Sequence, residues 1–189
     1  MSQTAKAMTY SVLASIAIVF AWMAINPQPE MEYESGVDAP VVAEEVSTVA
    51  AFTPATVNAP ESWRTNFARW NSGSSDEVPA WNVGYLTEED EFFGISQSAH
   101  ANDGWIDDKI SPVGEPTETT VANHDVTRWV GDDDHIYLVA EFDHDPDALE
   151  TVEQAEAPEP SESMTLILSG SMEEQTLHQL AAEVINQYR

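Results

Sequence analysis

The 189 residues include no cysteine, which excludes disulfides, thiolate nucleophiles and thiolate metal sites. Cations are nearly as scarce: 6 Lys and Arg stand against 34 Asp and Glu, a formal net charge of -28. A surface of that sign repels nucleic acid and anionic lipid, attracts cations or a basic partner, and keeps a protein dispersed in water. Signature motifs are missing as well. Neither a phosphate-cradling P-loop nor a dinucleotide fingerprint occurs, and no GxSxG elbow surrounds a serine, SGSSD and SGSME included. The five histidines, His100, His124, His135, His144 and His178, show no HxxxH, HxH or HExxH spacing and read as scattered surface residues.

What is present begins with the run Ala7 to Ile25, AMTYSVLASIAIVFAWMAI, which carries no charge. As a helix it extends about 28 Å, close to the ~30 Å of a bilayer's hydrocarbon core. Lys6 precedes it and all the carboxylates follow it. The expected topology is a cytoplasmic tip over residues 1–6, a transmembrane helix over 7–25 and an exported remainder. A cleaved signal peptide is the rival reading, but Trp22 and Met23 occupy the places where cleavage needs small residues. The alanines at 7, 14, 17, 21 and 24 read as an alanine-rich span in preference to a self-association face.

Residues 26–47, NPQPEMEYESGVDAPVVAEEVS, rich in Pro, Glu and Ala, read as a flexible acidic tether. An α+β domain is expected over 48–189, interrupted by an acidic inserted loop over 143–163. Thr48 to Phe52 reads as a short strand. In Trp63 to Trp70 the alternation sets Trp63, Thr65 and Phe67 against Arg64, Asn66 and Ala68, a half-buried strand. A short helix is expected over Asp103 to Ile110, and strands over Val126–Val130 and Ile136–Phe142 around GDDD. Met164 to Leu168 reads as a strand, Ser169-Gly170 as a turn, and Ser171 with Glu174 as a capping box. That box opens a helix whose apolar face is Leu177, Leu180, Ala181, Val184, Ile185 and Tyr188. The fold class is α+β: a twisted, mainly antiparallel sheet of about five to seven strands, covered by the C-terminal helix and preceded by one N-terminal transmembrane helix.

WNVGYLTEEDEFFGISQS, residues 81–98, is a hairpin with one glycine in each strand. Closing it on TEEDE sets Leu86 against Phe92, Tyr85 against Phe93, Val83 against Ile95 and Gly84 against Gly94. Opposed glycines leave bare backbone, the mark of a bulge, a bend or a close neighbour. The C-terminal helix, with Ala181 or Ala182 in the gap, is the expected neighbour, ahead of a ligand cleft.

Candidate chemistry is thin. Asp143-His144-Asp145-Pro146-Asp147 starts like a calcium loop, but Ala148 and Gln154 stand where glycine and glutamate belong. GDDDH offers only weak, nonspecific cation binding. Paired carboxylates for glycoside hydrolysis cannot be chosen among so many. Trp63, Trp70, Trp81, Trp105 and Trp129 read mostly as core, with a sugar-stacking platform as the alternative. Arg64, Arg69 and Arg128, each one residue from a tryptophan, read as salt-bridge partners before anion binders. No catalytic, cofactor-binding or metal residues are assigned, and the binding residues are left unknown.

Taken in order, SWRTNFARW, WNVGYLTEEDEFFGISQS and MTLILSGSMEEQTLHQLAAEV resemble the actinobacterial family catalogued as domain of unknown function 4245. The local marks are Trp63-Arg64, Gly84-Tyr85-Leu86-Thr87, Gly94 with Gln97-Ser98, and Ser169-Gly170-Ser171 leading into the Leu177/Leu180 helix. The resemblance implies a single-span envelope protein with an extracytoplasmic domain of unassigned role, and it carries over no catalytic residue. The acidic loop and the extreme acidity depart from the family's pattern. The expected role is therefore a noncatalytic, membrane-tethered extracytoplasmic binding or accessory module, partnered by the membrane and by an envelope protein or wall polymer, not by nucleic acid. An envelope enzyme acting on wall polymers is the alternative, and a sensor subunit working through a membrane partner is the third.

Overall fold

Seven strands carry the chain back and forth in two meanders that meet in the middle of one sheet. The computed structural model describes residues 37–50, 52–73, 78–143 and 163–188. They belong to the second of two compact units, Ser35–Arg189. The strands are β1 (Arg64–Asn71), β2 (Ala80–Leu86), β3 (Phe92–Ser98), β4 (Thr117–Val121), β5 (His124–Val130), β6 (Ile136–Asp143) and β7 (Ser163–Gly170). Their spatial order is β1-β2-β3-β7-β6-β5-β4, antiparallel throughout. Helices α1 (Ala39–Val46), α2 (Asp103–Ile110) and α3 (Glu174–Ile185) complete the unit, with a 3₁₀ turn over Asn186–Tyr188.

Period-two alternation divides the sheet into a core face and a second face. Trp81, Val83 and Tyr85, then Phe93 and Ile95, then Leu138, Ala140, Leu166 and Leu168, bury on the core face beneath Leu177, Ala181, Val184 and Ile185 of α3. The expected helix face is the one buried. Its start differs from the expected capping box. Ser171 Oγ accepts from Phe92 N at 2.8 Å, and Glu174 grips Arg128 of β5 at 2.7 and 3.0 Å, so both residues fasten the helix to the sheet instead of capping it.

Residues 52–59 cross the core face without regular structure, and side chains replace the missing ladder. Gln97, fully buried, accepts from Ala55 N at 2.9 Å and donates to Thr53 O at 3.1 Å. Trp81 Nε1 donates to Ala55 O at 2.8 Å and Tyr188 Oη to Thr53 O at 2.7 Å. Upstream, Ala39, Ala43 and Val46 of α1 join the same core. Of the tether expected over 26–47, residues 26–36 lie outside the described residues and Ala39–Val46 form a helix, and among the described residues of Thr48–Phe52 no strand forms. Burial won there: alanine and valine at helical spacing outweigh the Pro and Glu around them. β4 begins in the Pro- and Thr-rich stretch SPVGEPTETT, residues 111–120, where no strand is expected.

The hairpin register is the expected one, Gly84 against Gly94 included. What covers the glycines is not α3, which lies on the other face. A bulge between Thr65 and Phe67 shifts β1 so that Phe67, instead of sharing a face with Thr65, stands opposite Gly84. A Cβ on Gly84 would come within 2.6 Å of Phe67 Cε1 and 2.8 Å of Phe92 Cε2, and one on Gly94 within 2.7 Å of Phe92 Cε1. Two phenylalanine rings lie flat where side chains would otherwise stand.

Among the described residues no helix is long and apolar enough to cross a membrane. The longest, α3, has 12 residues and spans about 18 Å, well short of a ~30 Å hydrocarbon core. The run Ala7–Ile25 lies outside the described residues. The fold class of the described residues is an α+β unit of seven antiparallel strands with its C-terminal helix, and the expected transmembrane helix is not among them. The single-pass placement, the membrane-tethered extracytoplasmic role and the membrane as partner all rested on that helix, and they are withdrawn with it. The acidic loop over 143–163 also lies outside the described residues, apart from Asp143 and Ser163 at the ends of β6 and β7.

Candidate functional site

Helix α2 crosses the second face. Its start is fixed by Asn102, whose side chain accepts from Trp105 N at 2.9 Å, and its end by Ser111 in the left-handed region at φ 46. Ile110, Ile106 and Trp105 pack on Val139, Ile167, Trp129 and Tyr137, a second and smaller apolar cluster. Seated over β5 to β7, the helix leaves a trough between itself and the β1–β2 edge.

That trough is a cleft of about 390 Å³. It is lined by Val78, Ala80 and Gly104 together with Asn71, Asn82, Asn102, Trp105, Asp108 and Lys109. Asn82 organises it. The buried Asn82 Oδ1 accepts from Lys109 Nζ at 2.8 Å and from Ser96 Oγ at 3.0 Å, while Nδ2 donates to Ala80 O at 3.2 Å. Lys109 Nζ sits 5.8 Å from the Trp105 ring centroid, a cation–π distance that ties the ammonium to the indole. Asn71 Oδ1 accepts from Gly73 N at 3.1 Å. Three primary amides and an indole thus line one space, with a carboxylate and an ammonium on the same helix.

A second depression of about 430 Å³ lies over β4 to β6, between Glu118, Asp125, Glu141, His124, Thr127 and Val139. Its acids are exposed and offer no convergent chemistry. Among the described residues no group of three or more His, Cys, Asp or Glu is placed to hold a metal ion. The histidines stay apart: His124 stacks on Phe142 with centroids 4.3 Å apart, His135 Nδ1 meets Asp133 at 2.9 Å, and His100 is buried. His144 and most of the calcium-like loop lie outside the described residues.

The tryptophans divide. Trp81 is wholly buried, while Trp63, Trp70, Trp105 and Trp129 are half-buried, and of these Trp105 lines the cleft. Arg64 pairs with Asp90 and Arg128 with Glu174, the salt-bridge reading; Arg69 instead lies over Phe67 at 5.1 Å. Arg128 holds the Glu174 carboxyl below its usual range through their hydrogen bond. Burial pushes the Tyr85 hydroxyl up to about 12, and burial with Asp133 as acceptor also raises Tyr137. None of these shifted groups lines the cleft. Asn71, Asn82, Asn102 and Lys109 were not singled out from the sequence, because amides carry no spacing signature. The usable signal was the coincidence of a short helix with a tryptophan one turn from an asparagine cap.

A family model described as "Protein of unknown function (DUF4245)" matches residues 1–184. No curated protein and no solved structure matches the chain.

Proposed function

We propose a binding role, and no catalytic one, for this chain, which belongs to the DUF4245 family of proteins of unknown function. The ligand occupies the cleft between α2 and the β1–β2 edge and is a neutral, hydroxyl-rich molecule of saccharide type. The observation that carries this reading is the composition of the wall: Asn71, Asn82, Asn102 and Trp105 around one space. Amide N–H groups donate to hydroxyl oxygens, and an indole packs on the apolar side of a sugar ring. Amides and indole do not ionise near neutral pH, so these four groups bind and orient without moving protons, with Asp108 and Lys109 completing the wall. A net charge of -28 disfavours an anionic ligand, and in the wall itself Asp108 and Lys109 offset one another.

Calorimetry of the full chain with maltotriose, cellotriose and chitotriose tests the reading, with the matching acidic sugars as controls. At least one neutral trisaccharide should bind, the acidic analogue should bind more weakly, and the recovered sugar should have unchanged mass. Trp105→Ala should weaken binding about tenfold, ~1.4 kcal/mol. A cleaved or modified sugar would overturn the noncatalytic part, and unaltered affinity in Trp105→Ala would overturn the site.

A further inference from the structure

The rings over the glycine strip are the start of a longer row. Ring centroids lie 6.3 Å apart for Phe67 and Phe92, 5.9 Å for Phe92 and His135, and 6.5 Å for His135 and Tyr137. Phe92 and His135 are stacked at 16°. All four rings are half-buried, so each keeps part of its surface in water. The row is independent of the amide-lined cleft and shares no residue with its wall.

Two acidic tips flank it. Phe92 follows the β2–β3 tip, Glu88-Glu89-Asp90-Glu91, and His135 follows the β5–β6 tip, Asp132-Asp133-Asp134, so their stacking holds both tips at one end of the sheet. Among the described residues Arg64 pairs with Asp90, while Asp133 takes His135 and the Tyr137 hydroxyl as partners. Glu88, Glu89, Asp132 and Asp134 stand exposed on the two tips. At the other end the chain shows what such a surface accepts. Arg69 lays its guanidinium 5.1 Å from the Phe67 centroid. Ring faces bear negative potential, and guanidinium, planar and weakly hydrated, stacks on them better than ammonium does.

We propose that the Phe67–Phe92–His135–Tyr137 row is a docking surface for an arginine-bearing segment of a partner protein. Guanidinium groups stack on Phe92 and His135 as Arg69 does on Phe67, and the carboxylates of both tips supply the attraction. Charge decides the class of partner: a surface this acidic turns away nucleic acid and anionic lipid and draws a basic polypeptide.

The test uses the full chain and two synthetic decapeptides of equal charge, one alternating arginine with glycine and one alternating lysine with glycine. Fluorescence anisotropy at low salt should show the arginine peptide binding about fivefold more tightly. Ring signals of Phe92 and His135 should shift in NMR spectra on its addition. A variant carrying Asp132→Asn and Asp134→Asn, both at exposed turn positions, should lose most of the affinity for either peptide. Phe92→Leu and, because Phe92 also packs on Gly94, the separate variant His135→Ala should each erase the preference for arginine while leaving a salt-sensitive remainder. Equal binding of the two peptides to the unaltered chain would overturn the proposal, as would shifts confined to the Glu118 and Glu141 depression.

Discussion

Gly84→Ala probes the packing that organises the second face. The backbone presents no obstacle, since Gly84 is not among the glycines with positive φ. The whole cost must come from the rings, because the new Cβ would lie 2.6 Å from Phe67 Cε1 and 2.8 Å from Phe92 Cε2. If each ring is lifted from about 50 Å² of apolar surface, ~25 cal/mol per Å² gives a loss of about 1.2 kcal/mol per ring. Alanine also restricts the unfolded chain, a gain of about 0.4–1 kcal/mol. The net expectation is a destabilisation of about 1.5–2 kcal/mol, read from urea unfolding followed by tryptophan fluorescence. In a Phe67→Ala background only Phe92 is left to displace, and the cost of Gly84→Ala should fall to about 0.5 kcal/mol, a coupling that a double-mutant cycle isolates. If Gly84→Ala stabilises the protein, and by the same amount in both backgrounds, the rings are not seated on that glycine and the reasoning fails.

Arg128→Gln should cost about 0.5–1 kcal/mol at pH 7, a figure kept small because Arg128 and Glu174 side chains are 24% and 46% exposed. Glu174 titrates below its usual 4.5 when folded, so the pair stabilises above that pH. Urea midpoints of Arg128→Gln and the unaltered chain should then converge as pH falls through the lowered value. Gln97→Leu strands the Ala55 amide and leaves the Thr53 carbonyl with the Tyr188 hydroxyl alone. A loss of about 1–3 kcal/mol in thermal or urea unfolding is expected, with faster hydrogen exchange at Ala55. Ala122 and Asn123 join β4 to β5 at φ 52 and 59. Ala122→Asn relieves an alanine held in the left-handed region and should raise stability by about 0.5–1 kcal/mol in the same assay.

The central hairpin and the C-terminal helix were legible in the sequence because both are local. TEEDE sets a register that fixes every pairing behind it, and Leu177, Ala181, Val184 and Ile185 repeat at helical spacing. What covers Gly84 was not legible, since it depends on a one-residue bulge in β1 that leaves the hydrophobic pattern of that strand looking regular. The same limit applies to Ser171 and Glu174. Their spacing spells a capping box, but Phe92 N and Arg128 arrive from distant strands and compete successfully for their oxygens. β4 was hidden by composition: threonines on an edge strand look like loop until a neighbour pairs with them. Of the cleft, α2 and Trp105 could be placed in advance. The convergence of Asn71, Asn82 and Asn102 comes from three separate segments, and only the antiparallel register of β1 with β2 and the crossing of α2 bring them together.

The amide-lined cleft is best tested by an NMR titration of the full chain with the neutral trisaccharide that binds most tightly in calorimetry. The side-chain amide signals of Asn71, Asn82 and Asn102 and the Trp105 indole N–H should move together along one saturation curve. Shifts that spare those four groups and gather elsewhere on the sheet would contradict the assignment of the site.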